Sequence, residues 1–273
     1  IAEACNVTRQ AVSKWENGTG TPDIANLMAI AALFQISVDE LLSNEKSDKK
    51  QSDYIYESRT EYDIDGKKNF DIKLGGAYAV DLKAYHGEKI EVAMFSNVYK
   101  NLLADYKVKI DDIKNRIDID LNRFNEASEA DAKESLVITI FIPVKYIGKI
   151  ELSVNAGTLN ITDIENEHIE VNGKISEVTL QGNKSEIEID SNLDMQISVL
   201  SHEGALEINQ LSATSRLTLP ADYRFRSTKK GIATHIYYVR QGKKVDDFSD
   251  AKADNYIELN GIKSELVIVE AEV

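Results

Sequence analysis

The sequence predicts a multidomain chain in which a small helical bundle is followed by an all-β domain. Three observations carry that expectation. Up to residue 43 apolar side chains recur at three- and four-residue spacing, the period of helices with one buried face. Residues 44–53, NEKSDKKQSD, then contain no apolar side chain. Beyond them alternation takes over, the period of strands, with Gly, Asn and Asp between the alternating runs. The expected boundaries are 1–43 for the helical part, 44–56 for a polar linker and 57–273 for a β-strand-repeat domain.

The helical part centres on TRQAVSKWENG, Thr8 to Gly18. Thr8 is a favoured N-cap residue, and Gly18 stands where a helix commonly ends. Val12 and Trp15, three apart, give this helix an apolar side. Its other side carries Arg9, Gln10, Ser13 and Lys14, which form two i,i+4 pairs. Arg forks onto guanine O6 and N7, Gln onto adenine, and Lys serves guanine or phosphate, so this side has the chemistry to read a DNA major groove. Ahead of it IAEA reads as the last turn of another helix. Cys5-Asn6-Val7 reads as a tight connection in which Asn6 takes the left-handed conformation.

These residues resemble the helix-turn-helix of the lambda-repressor-like (Xre) family. Ile1, Ala2, Asn6, Val7, Val12 and Trp15 fall on its core and turn positions. The resemblance implies base reading by Arg9, Gln10, Ser13 and Lys14, within a segment running from Thr8 to Asn17, with Asn17 on phosphate. It also implies a homodimer on a two-fold symmetric double-stranded operator. The family's first helix, rich in Lys and Arg, has no counterpart here, and the chain opens at Ile1 without Met. The expectation is a truncated gene model, a fragment or a trimmed chain whose helix-turn-helix is partial, the alternative being a stub that no longer binds DNA.

Thr21-Pro22-Asp23 starts the next helix: a capping hydroxyl, Pro at the first helical position and an acid in the first turn. Ile24, Leu27, Met28, Ala31 and Phe34 give it a core stripe. Ser37-Val38-Asp39-Glu40 is a capping box for a last short helix ending in Leu41-Leu42. In the resembled family the corresponding helix often helps make the dimer, which implies Leu41 or Leu42 as a partner contact.

In the β domain, FDIKL, YAVDLKAY, KIEVAMF, KVKI, RIDIDL and LVITIFI read as strands. An internal repeat is clearest over 149–220. Apolar-x-apolar triplets begin at Ile150, Leu159, Ile169, Val178, Ile187, Ile197, Leu206 and Leu217, nine to eleven residues apart, with Gly157, Gly173, Gly182, Asn192 and Gly204 as turns between them. Short strands this evenly spaced predict a β-solenoid whose coils of about 19 residues each contribute two strands. A meandering sandwich is the alternative. The region, from about Phe70 to Val269, resembles the putative-adhesin β-strand-repeat family of bacteria, which implies a fold more firmly than an activity.

The middle residue of each triplet points outward. Glu151, Glu170, Glu188 and Glu207 fall on one face, and Asn160, Thr179, Ser198 and Thr218 on the other. Stacked coils turn the first set into a carboxylate row, at about 4.8 Å spacing. Two readings follow: a face for a basic peptide or divalent cations, or a solvated surface that keeps the stack soluble. Equivalent repeat positions do not supply the differently tuned acid and base of an enzyme. His86, His168, His202 and His235 show no metal-ligand spacing, and no P-loop, dinucleotide fingerprint or nucleophile elbow is present. Neither a catalytic residue, a cofactor nor a metal is therefore expected.

Composition sets the remaining bounds. A single cysteine excludes an internal disulfide framework and fits a reducing compartment. No apolar run approaches the ~18 residues of a membrane helix, and LVITIFIPV has the length of a buried strand. The net charge of −14 opposes bulk attraction to nucleic acid, and residues 1–44 pair only Arg9 and Lys14 with five acids, so specific contacts have to carry DNA binding. The expected function is a cytoplasmic, sequence-specific DNA-binding transcriptional regulator with a sensing, scaffolding or oligomerising β domain. The alternatives are an adhesin-like interaction protein with a vestigial helix-turn-helix and a carbohydrate-active enzyme.

Overall fold

The computed structural model describes residues 2, 5, 7–16, 20, 22–34, 54–125 and 127–271. The chain divides into two compact units, Ile1–Ser52 and Asp53–Val273.

In the first unit Val7 N–H donates to the Ala2 carbonyl at 3.0 Å, closing a six-residue turn. The turn delivers Thr8 to the start of α1 (Arg9–Glu16). There the Thr8 hydroxyl accepts from Ala11 N–H at 3.2 Å, as the N-cap reading requires. Ala11, Val12 and Trp15 are half-buried. The second helix, α2 (Ile24–Phe34), starts two residues later than expected. Its cap is Asp23, whose carboxylate accepts from Asn26 N–H at 2.9 Å; a negative cap also suits the helix's N-terminal dipole, and Pro22 is left outside. Its core stripe is rotated as well. Ile30 and Ala31 are buried and Leu27 half-buried, whereas Ile24 and Met28 are 76% and 59% exposed. Cys5 is buried, its thiol 3.9 Å from the Asn26 carbonyl. Asn17, Thr21, the Phe34 side chain, the short helix ending in Leu41-Leu42 and most of the expected linker lie outside the described residues.

Among its described residues the second unit is one mixed, open sheet of eighteen strands. Its axis is β2 (Lys68–Tyr85), which pairs in parallel with β7 (Ile147–Thr162) along nearly its whole length. On its other side β2 splits between two arms. Its first half pairs with β5 (Arg116–Arg123), which forms an antiparallel hairpin with β4 (Tyr106–Ile113). Its second half pairs with β6 (Val137–Pro143), followed by antiparallel β3 (Lys89–Ser96) and β1 (Tyr56–Asp63). Two short helices, α3 (Leu102–Asp105) and α4 (Glu129–Ser135), bridge these arms, α4 being capped by the Ser128 hydroxyl.

From β7 onward strands pile up in parallel. β8 (Glu165–Gln181) pairs with β7, and β9 (Asn183–Asp190) with the first half of β8. β10 (Gln196–Val199) takes the second half of β8, and the two-residue β11 (His202–Glu203) pairs with β9. β12 (Ala205–Leu211) continues from β9, and β13 (Thr214–Leu219) from β10. Triplet meets triplet in register: Ile150 on Ile169, Ile187 and Leu206, and Leu159 on Val178, Ile197 and Leu217. The first and last residues of every triplet are buried in one continuous core. In β7 and β8, however, two triplets share one long strand, so Gly157 and Gly173 lie inside strands instead of between them. Gly173, at φ 145°, marks the bend: a Cβ there would meet the Val154 carbonyl oxygen at 1.7 Å.

Sequence order fails at the far end of the pile. β14 (Arg226–Ile232) and β15 (His235–Arg240), with β16 (Lys243–Val245) as a hairpin partner, precede β17 (Tyr256–Ile262) and β18 (Glu265–Glu270) in the chain. Yet β17 and β18 lie directly on β12 and β13, and β14 and β15 lie outside them. Inward side chains explain the order. At positions facing Leu206 and Ile208, β17 offers Ile257 and Leu259, and β14 only Ser227 and Lys229. A strand with a lysine at an inward position terminates a core; it does not continue one. Phe225, Phe248, Tyr238 and Tyr223 close the core beside it, with ring centroids 5.4–6.4 Å apart.

Candidate functional site

In α1 the side chains of Gln10 and Lys14 are exposed one turn apart, and Thr8 ahead of them is exposed too. Arg9 and Ser13 lie on the same helix by backbone position, one residue before each. α1 thus turns polar residues outward at 10 and 14 while Val12 and Trp15 point partly inward, the division a groove-reading helix needs.

In the second unit, pairing brings Glu151, Glu170, Glu188 and Glu207 together, one per strand on β7, β8, β9 and β12. Asn160, Thr179, Ser198 and Thr218 form the matching row on the other run of strands. The carboxylate row is longer than the repeat spacing indicates. Asp71 on β2, then Asp118 and Asp111, extend it at one end, and Glu258 on β17 extends it at the other. The signal was in FDIKL, RIDIDL and YIELN, each an acid between two apolar residues. Their partners lie tens of residues away in the chain, where a step of nine to eleven cannot find them.

The ends of the row are neutralised from within, and its middle is hydrogen-bonded. Lys73 Nζ holds Asp71 at 2.7 Å, Arg116 holds Asp118 through Nε at 2.5 Å and Nη2 at 3.0 Å, and Lys109 holds Asp111. Asn172 donates to Glu170 at 2.8 Å and Asn209 to Glu188 at 2.6 Å. His168 lies 3.8 Å from Glu188 and 3.9 Å from Glu186. Among the described residues no three His, Cys, Asp or Glu groups converge on a metal position.

Glu207 and Glu258 are register neighbours with opposite surroundings. Glu258, 2% exposed, accepts from Lys230 Nζ at 2.7 Å, Asn260 Nδ2 at 3.0 Å and Tyr256 Oη at 2.5 Å. Burial pushes its pKa up, but these donors together outweigh burial and hold the carboxyl below its ordinary range. The Tyr256 hydroxyl is in turn pushed up to about 12, by burial first and then by its bond to Glu258. Among the described residues no side-chain hydrogen bond or ion pair reaches the Glu207 carboxylate. Partial burial, then the charges of Glu258, Glu186 and Glu188, raise its pKa.

Of the remaining histidines, His202 is buried, with Nε2 3.3 Å from the Ala205 carbonyl, and burial lowers its pKa. His235 stacks on Tyr237, ring centroids 6.1 Å apart. Two open clefts, of about 570 and 490 Å³, run along corners of the pile. The larger is lined by Lys184, Arg224 and Lys252 together with Glu186, Glu203 and Asp254. No helix among the described residues is long and apolar enough to cross a membrane.

The helix-turn-helix family model matches residues 1–41. Over 46 residues the chain is 46% identical to the HTH-type transcriptional activator BcrR of Enterococcus faecalis, a stretch that makes up 17% of this chain and 22% of that protein. The chain therefore spans about a fifth of that relative's length. Residues 1–41 thus resemble the helix-turn-helix segment of a transcriptional regulator. The similar solved structures include a putative cell adhesion protein from Clostridium sporogenes, 13% identical with a TM-score of 0.39, covering 79% of this chain and 99% of that one. A putative adhesin from Bacteroides fragilis is 11% identical with a TM-score of 0.38, covering 80% of this chain and 98% of that one.

Proposed function

We propose that this chain is a cytoplasmic, sequence-specific DNA-binding transcriptional regulator that acts as a homodimer, and that its β unit is a non-catalytic scaffolding or sensing platform. The observation that carries the reading is α1: a Thr8-capped helix inside a helix-turn-helix segment, with Gln10 and Lys14 exposed one turn apart. On this reading Arg9, Gln10, Ser13 and Lys14 face bases, and Asn17 faces phosphate. The β unit is a solenoid of about 19-residue coils; residue-to-residue parallel register between alternate triplets, one coil apart, supports it. The row Glu151, Glu170, Glu188 and Glu207 is a solvated acidic surface; Asn172 and Asn209 donate to two of its carboxylates without cancelling their charge, which supports that reading.

Selection of random duplex DNA on the full-length protein tests the reading, with an enriched two-fold motif whose half-sites lie about one helical turn apart as the expected result. Gln10→Ala is expected to weaken the selected site by about 1–3 kcal/mol and relax preference at one base. Enrichment of no motif overturns the proposal. Equal losses on selected and scrambled DNA for Gln10→Ala would assign base reading to another face.

A further inference from the structure

β17 and β18 fill a slot whose walls both precede them in the chain. One wall is β12 and β13, the other β14 and β15. The first wall turns Leu206, Ile208 and Leu217 inward, and the filling segment sets Ile257, Leu259 and Ile268 against them, with Leu266 beside the buried Ser215; all of these apolar side chains are at most 2% exposed. The walls cannot close on each other instead, because register would then set Lys229 against Ile208 inside the core. The slot has to be filled by a strand pair carrying apolar side chains at alternate positions.

We propose that the slot is a strand-exchange interface, in which the 256–270 segment of one copy of this chain fills the slot of a second copy. Ladder hydrogen bonds and inward contacts are the same whichever copy supplies the segment, so exchange loses none of them. The hinge falls between Phe248 and Tyr256. Phe248 packs on Phe225 and Tyr238 and stays with the outer wall. The next seven residues contain no strand and are tied down by polar bonds, chiefly Arg224 Nη2 to Asp250 at 2.5 Å and Asn255 Nδ2 to the Arg224 carbonyl at 3.0 Å. Each copy gives one segment and receives one, so exchange closes at two copies and leaves no open slot. This interface is independent of the DNA-binding reading.

The test uses the full chain with Cys5→Ser and two single changes, Asn209→Cys on β12 and Asn260→Cys on β17, whose native side chains meet at 3.0 Å. The two variants are unfolded together, refolded together over a range of concentrations and treated with a short bismaleimide. The expected result is a cross-linked dimer containing one copy of each, rising with concentration toward half of the dimer at equal mixing. The double variant should cross-link within one chain at low concentration. Intrachain linkage in the double variant with no mixed dimer at any concentration overturns the proposal. So does linkage of Asn209→Cys to itself, which would mean that copies meet surface to surface.

Discussion

The run 147–219 and the run 226–270 are built of the same parallel strands, yet they stack by different rules. In the first, chain order and stacking order coincide, because every strand except the two-residue β11 brings an apolar pair to the core. In the second, the later strands move inward past the earlier ones, because Ile257 and Leu259 complete the core and Ser227 and Lys229 do not. Position in the pile is decided by what points inward. Chain connectivity sets it only where candidates are equivalent.

The sharpest way to break this contrast is to cut the inward side chains on both sides of the disputed position. Ile257→Ala or Leu259→Ala is expected to cost about 2–5 kcal/mol, since both side chains are fully buried. Ser227→Ala, one strand further out, removes only the hydroxyl's 2.7 Å hydrogen bond with Tyr238 Oη and should cost about 0.5–1.5 kcal/mol. Denaturant unfolding of the full chain reads both; a large loss at Ser227 with little at Ile257 would reverse the stacking argument.

Bends give the next largest effect. Gly204 sits at φ 127°, and a Cβ there would lie 2.1 Å from the Ser185 carbonyl oxygen, so Gly204→Ala should cost about 1–3 kcal/mol or more. Gly242 in the outer hairpin, at φ 69° with nothing near its missing Cβ, should cost about 1 kcal/mol on the same change. Comparable losses in thermal unfolding would show that backbone conformation alone sets the cost and that close approach between strands adds nothing.

Much of the β unit is legible in sequence because burial on one side of a strand repeats with period two, and the triplets from Ile150 to Leu219 keep that period through every bend. Pairing partners separated by long excursions are not legible. Neither the 80-residue step from Phe70 to Ile150 nor the 51-residue step from Leu206 to Ile257 leaves a local trace. In the helical unit, period three to four marks α2, but which residues form its stripe depends on what packs there, so Ile30 replaces Ile24 and Met28. On α1 the exposed Gln10 and Lys14 were legible because an N-cap and an apolar pair fix a helix's rotation.

Within the carboxylate row, Glu258→Gln is the next smaller change. Its folded-state pKa lies below the ordinary value, so its ionised form stabilises the fold above that ordinary value, and the contribution is lost as pH falls through the depressed one. The variant should be less stable than the parent by about 1–3 kcal/mol at neutral pH, through weakened charge-assisted bonds from Lys230, Tyr256 and Asn260. The gap should close in acid. A pH-independent gap would assign the loss to packing.

Glu207→Gln is expected to have the smallest effect and the opposite sign. The raised pKa of Glu207 means that the folded chain binds its proton more tightly than the unfolded chain does, so its charge weakens the fold at neutral pH. Water reaches this half-buried group and screens the repulsion from Glu258, Glu186 and Glu188, which limits the gain to a few tenths of a kcal/mol. Removing the charge should raise the midpoint of thermal unfolding slightly at neutral pH. The advantage should shrink with added salt and vanish as the parent's own carboxyl protonates in mild acid. A loss of stability at neutral pH would mean that the Glu207 carboxylate has a donor in the folded chain.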